Sequence, residues 1–215
     1  MDNWKDRIDR ASLAVKKEFE SKGRNVISLD DIKEIAYALK HRLESNIELH
    51  ANWFTEHWRN NSLLAFDNQG SNIFTTEGRN FILDEIFNSA GAVSADLYVG
   101  LFDQNVVPAA ADTAAAKLGA AGDYGELQAT TEMDEAARQA YEAAAAASSN
   151  VTNAANKATF TIAATRTIYG GFIVTDSDPT STAGTLICAK AFTASRAVVD
   201  NDVLNILISI TLTSS

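Results

Sequence analysis

Val203-Leu-Asn-Ile-Leu-Ile-Ser-Ile-Thr-Leu-Thr213 sets a solid apolar face, Leu204, Ile206, Ile208, Ile210 and Leu212, against a mixed one, Val203, Asn205, Leu207, Ser209, Thr211 and Thr213. Side chains alternate with a period of two only along a strand, so this stretch predicts a half-buried β-strand. Only Ser214 and Ser215 follow it, and the strand is expected to lock the end of the chain into a sheet.

Working back from that strand, further candidates are Ala158 to Ala163, Thr167 to Thr175 and Gly184 to Phe192, with Ala95 to Phe102 as the first. In that first strand Leu97, Val99 and Leu101 share one face and Tyr98 and Phe102 the other. Asp176 to Gly184 is a loop by its turn residues. Ahead of these strands, Ile73 to Phe87 offers a Thr cap and a short helix whose Phe81, Ile82, Ile86 and Phe87 can cover a sheet end, stopped by Asn88 to Gly91. Residues 108 to 156 form an alanine-rich insertion. The run from Glu132 to Ala147 favours helix but has few large side chains to bury, so an elaborated, partly irregular excursion carrying contact surface is expected. Turns and loops join the strands, and the arrangement predicts an antiparallel sandwich.

The N-terminal part is different. Trp4, Ile8, Ala11, Val15 and Phe19 form one helical stripe, ended by Gly23. Ile32, Ile35, Leu39, Leu43 and Ile47 form a second, which the pattern allows to run on through Phe54 and Trp58. Stripes this narrow bury little alone, so residues 1–65 read as a helical assembly or docking segment and 66–215 as the β-sandwich domain. The fold class expected is α+β. Within Leu49 to Trp58, the aromatic residues Trp53, Phe54 and Trp58 are the candidate partner anchors, since buried aromatics dominate interface energetics.

Composition and motifs narrow the chemistry. Residues 1–62 hold as many basic as acidic side chains, so the whole net charge of −10 belongs to the rest, a distribution that argues against nucleic acid and anionic lipid as partners. No run of ~18 apolar residues suggests a membrane span, and no apolar stretch near Met1 resembles an export signal. Cys188, the sole cysteine, lies in an apolar run and reads as core packing. A zinc reading would use His50, Glu56 and His57, but their spacing matches no metal-binding helix signature, and surface histidines beside packing aromatics are the preferred reading. Asp176 with Asp178, and Asp200 with Asp202, lack the glycine and later glutamate of a calcium loop and read as turn acids. Adjacent acids such as Asp84/Glu85 and Asp134/Glu135 point different ways on a helix and read as solvated. Neither a nucleophile elbow nor a phosphate-binding loop is present, and no catalytic residue, cofactor or metal site is assigned.

Asn72-Ile-Phe-Thr-Thr-Glu-Gly-Arg-Asn-Phe-Ile-Leu-Asp84, Leu97-Tyr-Val-Gly-Leu-Phe102, Pro108-Ala-Ala-Ala-Asp-Thr113 and Tyr124-Gly-Glu126 occur in order along the chain. Phe160-Thr-Ile162, Ile168-Tyr-Gly-Gly-Phe-Ile173, Gly184 to Phe192 and the terminal Ile-Ser-Ile-Thr-Leu-Thr follow. As an ordered set they resemble a family of β-rich virion proteins of tailed bacteriophages, over roughly residues 70 to 215. The resemblance implies a non-enzymatic structural component of the particle, such as a capsid-decoration, neck or collar protein, with other phage virion proteins and copies of itself as partners. A fibre module binding a receptor or glycan is the alternative, and a small hydrolase the least favoured.

Overall fold

The computed structural model describes residues 47–87 and 96–214, together with Leu13 and Lys17. The chain forms two compact units, Met1–Glu48 with Ser214–Ser215, and Leu49–Thr213. The helices expected over residues 1–46, and the helix stop at Asn88 to Gly91, lie outside the described residues.

Two five-stranded sheets make the second unit. The first takes the order β2 (Ser62–Ser71), β1 (Ile47–Arg59), β10 (Val203–Ser214), β6 (Asn150–Thr152), with β7 (Ala158–Thr161) also on β10. The second takes the order β3 (Ile73–Phe74), β9 (Leu186–Val198), β8 (Arg166–Val174), β4 (Tyr98–Phe102), β5 (Gln139–Ala140). Every strand pair with a described register is antiparallel, as a sandwich requires. Helix α1 (Thr76–Phe87) is capped by the Thr75 hydroxyl, which accepts from the Gly78 N–H at 3.0 Å. Phe81 and Ile82 of α1 pack on the core, but Ile86, expected to cover the sheet end, is exposed.

The expected continuation of a helix through Phe54 and Trp58 is corrected: that segment is β1. Asn60 and Asn61, with φ of 48° and 59°, form the two-residue left-handed turn that matches strand twist, and the chain returns as β2. The expected boundary between residues 65 and 66 falls inside β2.

On β10 the alternation holds. Leu204, Ile206 and Ile208 are fully buried, Asn205 and Leu207 lie partly exposed on the other face, and Leu212 leaves the core at the strand's end. Between the stretches that pair with β7 and β6, buried Asn153 completes the ladder of β10, its side chain donating to the Ile206 carbonyl and accepting from the Ile208 N–H.

The second sheet is covered on both faces. Val99, Leu101, Ile168 and Ile173 face Trp53, Phe160, Leu204 and Ile206 in the core between the sheets. On the other side, Phe102, Phe172, Val174 and Ala189 meet Ala114, Leu118 and Tyr124. The first part of the alanine-rich insertion, including α2 (Ala114–Lys117), therefore supplies a third layer. Phe102 stands opposite Gly170 and Phe172 opposite Gly100, and each ring occupies the space that a side chain at the facing glycine would need. The alanine run itself is not helical. Ala147 exchanges both backbone hydrogen bonds with Asn150 across Ser148 and Ser149, whose φ values of 51° and 58° make a second left-handed two-residue turn. Ala143 to Ala147 are exposed, because methyl groups alone give a helix no apolar stripe to bury.

Candidate functional site

The hairpin β1–β2 carries the candidate partner anchors, and its pairing sorts them. Ala51, Trp53, Thr55 and His57 point inward and are buried, whereas Phe54, Glu56 and Trp58 point outward and are partly exposed. Trp53 is fully enclosed and would touch any side chain added at Gly171, so it is a core residue and offers no surface to a partner. Phe54 and Trp58 keep that possibility.

Residues directly opposite one another share a face of a sheet, so Phe66 opposite Glu56, and Leu63 opposite Trp58, add apolar area to the outward side. Phe54 and Phe66 lie parallel at 11° with ring centroids 6.1 Å apart. Leu64 is the extra residue of a bulge between the pairs His57–Ala65 and Trp58–Leu63. The exposures of Leu63, Leu64 and Phe66 are 47%, 50% and 57%. Together the five side chains make an aromatic and aliphatic patch on an edge hairpin.

The charges beside this patch are internally compensated. Glu56 accepts from Lys157 Nζ at 2.5 Å, Asn205 Nδ2 at 3.0 Å and Trp58 Nε1 at 3.2 Å. Partial burial opposes ionisation of Glu56, but these donors hold its pKa below the ordinary value. Asp67, the one acid of the outer strand β2, faces Thr55 on the inner side and pairs with Arg196 of β9.

A second bulge, between Trp53–Gly70 and Phe54–Asn68, leaves Gln69 as the extra residue of β2. Its buried side chain donates to Thr55 Oγ1 at 2.9 Å and accepts from the Thr193 N–H at 2.8 Å, tying the hairpin to β9 of the other sheet. The far end of β1 is held by Asp202, which is fully buried. It accepts from Arg59 Nε and Nη2, both at 2.7 Å, and from the Val199 N–H at 2.9 Å, and it bonds His57 Nε2 at 2.8 Å. The Arg59 guanidinium, with help from the Val199 N–H and His57, holds the Asp202 carboxyl far below the ordinary carboxylate range. Asp202 is a turn acid, as the sequence suggested, but it anchors its turn from inside; His57, expected at the surface, is buried against it. His50 is exposed and lies on β1 with Glu56 and His57, but Glu56 and His57 are on opposite faces of that strand.

At the loop end of the second sheet, Arg138 and Glu126 form a buried bidentate pair, Nε–Oε1 2.6 Å and Nη2–Oε2 2.9 Å. Arg138 also donates to the carbonyls of Asp176 and Ser181 and stands 5.6 Å over the Phe172 ring, while Glu126 accepts from the Gly119 N–H. Desolvation pushes the Glu126 pKa up against the pull of Arg138. Three loops meet on this pair. Asp176 and Asp178 cap their own turn, accepting from the N–H groups of Asp178 and Thr180. Cys188 is buried, and burial raises its thiol pKa to about 12, where it is an inert core group. No protein-family model and no curated protein matches the chain.

Proposed function

We propose that the chain is a non-enzymatic structural component of a tailed-phage particle, a capsid-decoration or head–tail protein assembled in the host cytoplasm with other virion proteins and copies of itself. The observation that carries this reading is the outward face of β1–β2, where Phe54, Trp58, Leu63, Leu64 and Phe66 are gathered while Glu56 and Asp67 are paired within the chain. An apolar patch on a protein of net charge −10 suits permanent contact with other subunits. The ordered motifs of residues 70 to 215 add to it. A fibre or glycan-binding module would use the loops at the sandwich ends. There Arg138, Glu126, Asp176 and Asp178 are engaged with one another and with loop backbone, which favours a scaffold over a recognition site.

The test is immunogold labelling, with an antibody against this chain, of phage particles produced from the genome that encodes it. Gold at a constant position on intact particles is expected. Absence from purified particles, with the chain remaining in the soluble fraction, would refute the reading.

A further inference from the structure

We infer that the outward face of the β1–β2 hairpin is a two-fold contact between two copies of this chain. The inference rests on reading the chain as an assembly protein and names the partner of that face. The choice of a second copy follows from charge. Two molecules of net charge −10 repel where acidic surfaces meet, so contact between copies is least opposed through a face without unbalanced charge. This face meets that condition: Glu56 is held by Lys157, and Asp67 turns inward to Arg196. A basic partner would gain nothing here and would be drawn to acidic surface elsewhere.

Geometry supplies the self-complementarity. The stacked Phe54–Phe66 pair presents flat ring surface, with Trp58, Leu63 and Leu64 along one side. Two such faces related by a two-fold axis set rings against aliphatic side chains reciprocally. Area sets the strength. With Leu63, Leu64 and Phe66 each about half exposed, the patch covers on the order of 400 Å² per copy, roughly half of the ~800 Å² per partner found in stable complexes. The contact is therefore weak in solution, with half-association on the order of 100 μM, and becomes persistent when many copies are held together.

Sedimentation of the full-length chain from about 1 to 300 μM should show a monomer–dimer equilibrium. Added salt should strengthen it, because screening removes like-charge repulsion while the apolar contact remains. Phe66→Ala should weaken association at least about tenfold and leave the melting temperature within a few degrees, since the ring is mostly exposed. With p-benzoylphenylalanine replacing Phe66, irradiation should yield a dimer whose cross-linked peptide comes from Phe54 to Phe66 of the second copy, diminishing on dilution. Cross-links confined to residues 1–46 of the same chain would assign the face to the chain's own N-terminal segment and overturn the inference. So would a monomer at every concentration, or a dimer unaffected by Phe66→Ala. Those results would leave the immunogold outcome untouched, because a subunit can join a particle through a different partner.

Discussion

Replacing Arg138 with Met tests how the loop end of the sandwich is held. The guanidinium is fully buried and makes two bonds to Glu126 and one each to the carbonyls of Asp176 and Ser181. A methionine of similar length fills the space over Phe172 but leaves the Glu126 carboxylate, 1% exposed, with only the Gly119 N–H among its present charge-stabilising partners. Removing one member of a buried pair typically costs ~3–5 kcal/mol. That is a large share of the ~5–15 kcal/mol that stabilises a domain. Glu126 can escape part of the penalty by taking up a proton. Its pKa is already raised by burial, and losing Arg138 removes the main force opposing that rise. A carboxyl whose folded pKa lies above its unfolded value binds more protons when folded, so stability falls as pH rises between the two values. The defect of Arg138→Met should accordingly be larger at pH 7.5 than at pH 5. The double variant Glu126→Leu/Arg138→Met removes both charges and should recover about 2 kcal/mol relative to the sum of the single changes. Urea denaturation of all four proteins at both pH values measures each quantity. A loss under about 1 kcal/mol for Arg138→Met, or strict additivity in the double variant, would refute the claim that the pair acts as a unit.

Ile208→Asp should cost roughly 4 kcal/mol or more by burying an unpaired charge, whereas Asn205→Asp, on the other face and beside Glu56, should cost only about 1 kcal/mol; thermal melts that rank them equally would contradict the register of β10. Asp202→Asn should lose about 2–4 kcal/mol, since it weakens a buried acceptor of Arg59, His57 and the Val199 N–H. Because the folded pKa of Asp202 is depressed, its contribution is present above the unfolded carboxyl value near ~4 and disappears as pH falls through the folded one, so acid titration should narrow the gap between this variant and the parent. Cys188 should resist an aromatic disulfide reagent in the native protein and react at once in denaturant; rapid native labelling would show that the core opens there.

The strands β4, β7, β8, β9 and β10 were legible because one of two periodic signals marks each: alternation on β10, or the near-continuous apolar run of β8, which is buried on both faces. The first hairpin was not. Its inward positions include Ala51, Thr55 and His57 and its outward ones Phe54 and Trp58, so hydrophobicity does not alternate, and the surrounding Leu, Glu and Ala suit a helix equally well. The Asn60-Asn61 pair was the available signal, since asparagine tolerates the left-handed turn a tight hairpin needs. Phe54 and Trp58, picked out by residue type alone, lie partly exposed on the outward face of β1, whereas Trp53, picked out by the same reasoning, is enclosed in the core. Leu63, Leu64 and Phe66 were missed because they join the patch only once β2 folds back on β1. Glu126 and Arg138 sit in a polar, alanine-rich stretch, and no local pattern distinguishes a charge that will be buried by distant loops from one that stays in water.

The facing Gly–Phe pairs of β4 and β8 bear on a problem that alternation cannot solve. Sliding one strand by two residues keeps every side chain on its proper face, so hydrophobicity alone leaves such slips degenerate with the native alignment. Here the degeneracy is lifted by volume. Slipping one way brings Phe102 against Phe172 where only one ring fits, and slipping the other sets Gly100 against Gly170 and opens a void. Native alignment alone matches each bulge of one strand to a hollow of the other, so the two glycines serve as keyways that make the strand pairing unique.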